Sequence, residues 1–205
     1  MAQPVNSPKN SPSARDRVLA EATALFAQKG YAATSIREIV TQAGVTKPVL
    51  YYYFKNKEAL FQAIIEEAAE RLDHLLQEPD ATEGSIWARI NGLCNRFYDY
   101  LRNHRDLVMV VHSSLFGPDR HPPTYNVLRF RNRVLMRIEA ICREGITAGE
   151  LAETDPKLIA KLVLAIINSS IFIDLTLFGQ DRPGHINQLL VLAYKGLSRE
   201  DISHV

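Results

Sequence analysis

Three consecutive tyrosines, Tyr51, Tyr52 and Tyr53, are flanked by Lys47 on one side and by Lys55 and Lys57 on the other. A phenol hydroxyl can donate to an anionic oxygen, and a lysine ammonium adds a point charge with three donors. Packed this closely, they offer hydrogen bonds and charge to an extended polyanion. They do not offer bond-breaking chemistry. The chain contains no G-x-S-x-G, H-E-x-x-H, G-x-G-x-x-G or phosphate loop, and no Glu-x-x-His pair of the di-iron type. Catalysis by scattered residues stays open, but no motif invites it. Charge supports the polyanion reading. Residues 1–57 hold eight Lys/Arg against three Asp/Glu, a balance of +5, whereas the rest hold sixteen against twenty, a balance of −4. A basic first third on a mildly acidic remainder suits a head that meets phosphates.

The elements that position these residues can be read from caps and periodicity. Val18, Ala22, Leu25 and Phe26 share one helical face, and Gly30 ends that helix. Ser35 with Glu38 forms a capping box that opens a second helix, buried through Ile36, Ile39, Val40 and Ala43. Gly44 supplies a tight turn. Thr46 is the next N-cap, and Pro48 falls in the first turn, where a missing N–H costs little. Asn56 caps the helix that follows. Two short helices joined by a tight turn are the layout of a helix-turn-helix, whose second helix enters the DNA major groove. Lys47 at its start can donate to guanine O6 or N7, and Pro48 can pack on a thymine methyl. Tyr51 lies one turn further on and faces the groove. One helix turn cannot bury three tyrosines, so part of the run must face outward. Arg37 is a base-contact candidate outside this helix, Ser35 and Thr34 can donate to phosphate, and Lys55 adds nonspecific charge.

Helical spacing continues to the end of the chain. Phe61, Ile64, Ile65, Ala68, Leu72, Leu75 and Leu76 mark a long helix ending near Pro79. Ile86, Ile90, Leu93, Phe97 and Leu101 form a second stripe, and a short helix follows from Asp106 to Leu115. Thr124 opens a helix with Leu128, Leu135, Ile138 and Ile141 inward, ending between Gly145 and Gly149. Asp155-Pro156 starts a helix running to Gly179 that is apolar on most sides. A last helix follows Pro183-Gly184. No period-2 strand and no internal repeat is evident. The fold class is all-α with about nine helices: a disordered arm over 1–13, a three-helix DNA-binding domain over 14–76 (motif about 36–55), and a helical regulatory and dimerisation domain over 77–205. Cys94 and Cys142 have no ligand spacing and read as small buried hydrophobes. No metal or cofactor is expected. There is no signal peptide, and the apolar runs look broken before membrane-spanning length, so a cytoplasmic protein is expected.

Residues 15–72 resemble the N-terminal domain of the tetracycline-repressor (TetR) family of transcriptional regulators. The resemblance is carried by Ala24-Leu25-Phe26, Gly30-Tyr31, Thr34-Ser35-Ile36-Arg37-Glu38-Ile39, Ala43-Gly44-Val45, Leu50-Tyr51-Tyr52-Tyr53-Phe54 and Lys55-Asn56-Lys57-Glu58-Ala59-Leu60. It implies a ligand-responsive repressor that binds a palindromic operator as a dimer and is released by a small molecule. It also implies DNA contacts at Thr46, Tyr52, Tyr53 and Lys57, with the two tyrosine hydroxyls on phosphates. Relatives often carry glycine or a small residue where Pro48 stands, so their operator preference does not transfer.

Beyond residue 80 the resemblance is only in being helical. Leu158, Leu162, Ile166, Phe172, Ile173 and Leu177, with Ile186, Leu189, Leu190 and Ala193, form the candidate dimer interface; a fully buried central helix is the alternative. Trp87, Phe97, Tyr98, Tyr100, Met109, His112, Phe116, Tyr125, Phe130 and Asn168 are candidate linings of a pocket for a largely apolar effector, or ordinary core. Arg129, Arg133 and Arg137 make a basic stripe, either a solvated face or a site for an anion. The long helix after Asn56 joins head to body, and its tilt is the expected carrier of a signal.

Overall fold

The computed structural model describes residues 12–77, 84–116, 125–174 and 185–197. Within them the chain forms nine helices and no strand: α1 Ala14–Ala33, α2 Ile36–Gln42, α3 Lys47–Tyr53, α4 Lys57–Gln77, α5 Ile86–Arg102, α6 Arg105–Phe116, α7 Tyr125–Thr147, α8 Pro156–Ile173 and α9 His185–Leu197. The all-α expectation holds.

Local chemistry sets most boundaries. Ser13 caps α1: its hydroxyl accepts from Asp16 N–H at 3.1 Å, and its own N–H donates to the Asp16 carboxylate. The expected disordered arm therefore gives up its last residue to the fold. Its first eleven residues lie outside the described residues. Gly30 interrupts α1 with φ of 81°, and Gly44 turns α2 into α3 with φ of 61°. L-residues pay a steric penalty in this left-handed region, which glycine escapes. Asn56 Oδ1 accepts from Ala59 N–H at 2.7 Å and starts α4. Ser85 caps α5, and Asp155 with Pro156 starts α8. At the end of α7, Gly145 lets α5 approach: a Cβ there would stand 2.8 Å from Ile86 Cγ2 and 2.9 Å from Leu151 Cδ1.

Two cores result. The head core centres on Val18, Phe26, Ile39, Leu50, Leu60 and Phe61, all essentially inaccessible. The body core centres on Leu93, Ile138, Ile141, Ile167, Ile186 and Leu190. Helix α6 packs along α1, and its Leu107 and Val110, with Val127 of α7, belong to the head core. The α7 register differs from the expected one. Leu128 is exposed, while Val127 and Val134 point inward with Ile138 and Ile141. Positions 127, 134, 138 and 141 keep one face over four turns; position 128 falls beside it.

Cys94 and Cys142 are free thiols, both buried. Burial pushes them up to about 12 and about 11 respectively, so both stay protonated near neutrality. Contrary to the expectation from the sequence, α8 is long and apolar enough to span a membrane by length and composition. Its packing gives another account of that composition. Ile159, Ala160, Val163, Leu164, Ile167 and Ile171 face the core, and a second apolar strip faces outward.

Candidate nucleic-acid interface and internal cavity

Helix α3 is pinned by its inner face. Leu50 is fully buried and Phe54, at its C-cap, is nearly so. Apart from the half-buried Val49, the rest of α3 is left outward: Lys47 and Pro48 are exposed, and Tyr51, Tyr52 and Tyr53 are 50%, 82% and 40% exposed. The Tyr52 and Tyr53 rings meet edge to face at 5.0 Å, which orders two phenols on the surface. Thr46 sits at the N-cap position but makes no side-chain capping bond. Its hydroxyl is therefore not committed to the helix.

The turn before α3 is held from α1. Arg17 Nε donates to the Ala43 carbonyl at 3.1 Å, and Val45 N–H donates back to Val40 O at 3.0 Å. Arg15 reaches Glu67 of α4 at 2.5 Å and lies over the Phe54 ring at 5.6 Å. Sequence reasoning missed both arginines as supports. From the sequence they entered only as part of the positive charge of residues 1–57.

Three of the other expected contacts are placed differently. Thr34 is buried, and its hydroxyl donates to the Gly30 carbonyl at 2.8 Å and lies 3.3 Å from that of Leu25. The hydroxyl thus closes the break at Gly30 from within the fold, and the Thr34 side chain does not face a phosphate. Lys57 also points inward. Its ammonium donates to Tyr31 O at 2.8 Å and Thr34 O at 3.0 Å, above the Tyr31 ring at 4.3 Å. Desolvation lowers its pKa. Ser35 is exposed, but its hydroxyl donates to Glu38 Oε2 at 2.9 Å. Glu38 also takes Lys29 at 2.6 Å, and these hydrogen bonds, led by that of Lys29, hold its carboxyl down at about 2. Arg37 is exposed on α2.

The described residues enclose an apolar cavity of about 170 Å³ between α4, α5, α6, α7 and α8. Of the expected lining, Phe97, His112 and Asn168 are on its wall. Phe172, assigned from sequence to the dimer surface, is there too, its ring stacked on His112 at 3.8 Å. Burial lowers the His112 pKa, so the ring is neutral near pH 7. Trp87 instead packs on Tyr194 at 4.7 Å, Tyr98 donates to the buried Asp174 carboxylate at 2.6 Å, and Tyr100 stacks on His104 at 4.2 Å. Met109 is half-buried off the cavity wall. These aromatics are core or inter-helix contacts, because helical spacing alone does not distinguish a core face from a cavity face. The side chains of Phe116, Tyr125 and Phe130 lie outside the described residues. Aliphatic side chains make most of the wall, and their periodicity in the sequence marks a buried face without marking a cavity.

The outward strip of α8 and α9 also departs from expectation. Leu158 is 57% exposed, Leu162 42% and Leu192 67%, with Val191 beside them. Ile186 and Leu190 are buried in the body core and cannot face a partner. Ile166, Ile173, Leu189 and Ala193 are half-buried, and Leu177 lies outside the described residues. The arginine stripe is divided as well. Arg133 pairs with Asp73 across α4 and α7, Arg137 has partners of its own, and Arg129 is exposed.

Residues 18–64 match the family described as "Bacterial regulatory proteins, tetR family". The chain is 25% identical over 169 residues to the HTH-type transcriptional repressor KstR2 of Mycolicibacterium smegmatis, covering 82% of this chain and 80% of that one. It is 28% identical over 181 residues to the transcriptional regulator YfiR of Bacillus subtilis, covering 82% and 87%. Its fold matches that of the fatty acid degradation regulator FadR from Bacillus halodurans with a TM-score of 0.79 at 18% identity, over 92% of this chain and 98% of that one. All three are named as regulators rather than enzymes.

Proposed function

Because the chain belongs to the TetR family and is a DNA-binding transcriptional regulator, we propose that it acts as a repressor. It binds a palindromic operator as a homodimer and is released when a small, largely apolar effector enters the cavity. The observation that carries the DNA-facing part is the outward face of α3. Lys47, Pro48 and Tyr51 are offered to base edges, and Tyr52 and Tyr53 to phosphates, while Leu50 and Phe54 fix the helix from behind. Thr46, Ser35 and Arg37 flank that face. Lys57 supports it by tying α1 to α4, and one ammonium N–H stays available for phosphate. A chromosomal target implies a cytoplasmic protein.

Two half-sites one helical turn apart need two heads, which the strip at Leu158, Leu162, Val191 and Leu192 would join through a four-helix interface. The coupling has a physical carrier. Ile65, Ala68, Leu107 and Val127 belong both to the cavity wall and to the head core. Anything that pushes them outward displaces atoms against which α1 packs. This makes α6 a transmitter beside α4. A polar crevice of about 780 Å³ between α1, α4 and the start of α6 leaves room for the head to move. Effector binding then favours dimers whose heads are wrongly spaced for one face of DNA.

Selection of duplexes from a random pool with purified protein tests this reading. A palindrome is expected. Recovery of no enriched sequence from a folded dimer would count against it.

A further inference from the structure

The wall of the cavity carries, among the described residues, one formal charge and no counter-charge. Among the described residues that line it, Arg131 is the sole ionisable side chain that is charged near neutrality, and no carboxylate is present. Nor does any described carboxylate pair with Arg131; on the same helix it is Arg133 that pairs, with Asp73. Arg131 and Asn168 line the cavity and are also exposed, which places both at its mouth. Behind them the wall is aliphatic and aromatic, with the neutral His112 stacked on Phe172. The site is therefore an apolar chamber whose opening presents a guanidinium fork and an amide.

Resting on the reading of this cavity as the effector site, we propose that its ligand is a small amphipathic carboxylate. The apolar body fills the chamber, and the carboxylate stays at the mouth, accepting from Arg131 and from the Asn168 amide. Size limits the body. A cavity of about 150 Å³ holds a benzene-sized group, so about 170 Å³ admits one ring or a short hydrocarbon chain and not a larger polycyclic body unless the helices part. Charge limits the head. A guanidinium offers a planar pair of donors that matches a carboxylate, whereas an ammonium head would meet like charge.

The test uses the full-length protein and three probes with one tail: hexanoate, hexan-1-ol and hexylamine, measured by calorimetry at pH 7. The expected order is hexanoate, then hexanol, then hexylamine. Because Arg131 is exposed, the first step should be about fivefold rather than large. Arg131→Gln should erase the preference for hexanoate over hexanol and leave hexanol binding within about twofold. Equal affinities for hexanoate and hexanol, a preference that survives Arg131→Gln, or no binding of any probe would overturn the inference. Release of operator DNA is read separately. Hexanoate that binds through Arg131 without releasing DNA would leave the inference standing and defeat the proposed ligand response. Release by hexanol and hexanoate alike, with equal affinities, would do the reverse.

Discussion

The ammonium of Lys57 lies 2.8 Å from the Tyr31 carbonyl oxygen and 4.3 Å from the centre of the Tyr31 ring. One side chain at the first position of α4 thus closes the kinked end of α1. Replacing it by methionine keeps the stem but leaves the carbonyls of Tyr31 and Thr34 without that donor. The expected cost is about 1–3 kcal/mol, read as a lowered urea midpoint, together with weaker DNA binding. An unchanged midpoint would mean that water replaces the ammonium at no cost.

The head was legible in the sequence because its signals are local. Ser35 with Glu38, Gly44, Asn56 and the Tyr51–Tyr53 run each declare a cap, a turn or an outward face within a few residues. Long-range partners were not legible. The inward turn of Lys57 depends on carbonyls 23 and 26 residues away. In the body, Trp87, Tyr98 and Tyr100 are aromatic residues of the same helix as Phe97, α5, yet Phe97 alone of these four lines the cavity. Periodicity gives a buried face; which neighbour it is buried against is a tertiary fact.

Glu38 makes head stability depend on acid. Its carboxyl sits at about 2 in the folded protein against an ordinary 4.5. A depressed folded value contributes stability above pH 4.5 that is lost as pH falls from there toward about 2. The difference in urea midpoint between wild type and Glu38→Gln should therefore shrink across that window. A difference constant from pH 7 to pH 2.5 would contradict the carboxylate's role.

Cys94 and Cys142 should not react with a thiol-specific reagent in the native protein at pH 8, where the folded thiols are held protonated and buried. Both should titrate promptly in urea. A fast native phase would show that the body core opens far more readily than its packing implies.

The outer strip of α8 and α9 should hold the dimer. Leu158→Glu with Leu192→Glu places charge on two exposed leucines without touching the core. The double variant is expected to sediment as a monomer with its helical circular dichroism retained, and to lose operator affinity. A dimer that persists would locate the interface elsewhere.

The central claim is that the outward face of α3 meets DNA. Its most direct test is a salt titration of affinity for a selected palindrome, with wild type and with the Lys47→Ala, Tyr51→Ala double variant. Wild-type affinity should fall steeply, with the logarithmic slope close to −0.9 per phosphate neutralised. The variant should stay folded and dimeric but bind the palindrome no better than unrelated DNA. Retention of full specificity by the variant would place the reading surface somewhere other than α3.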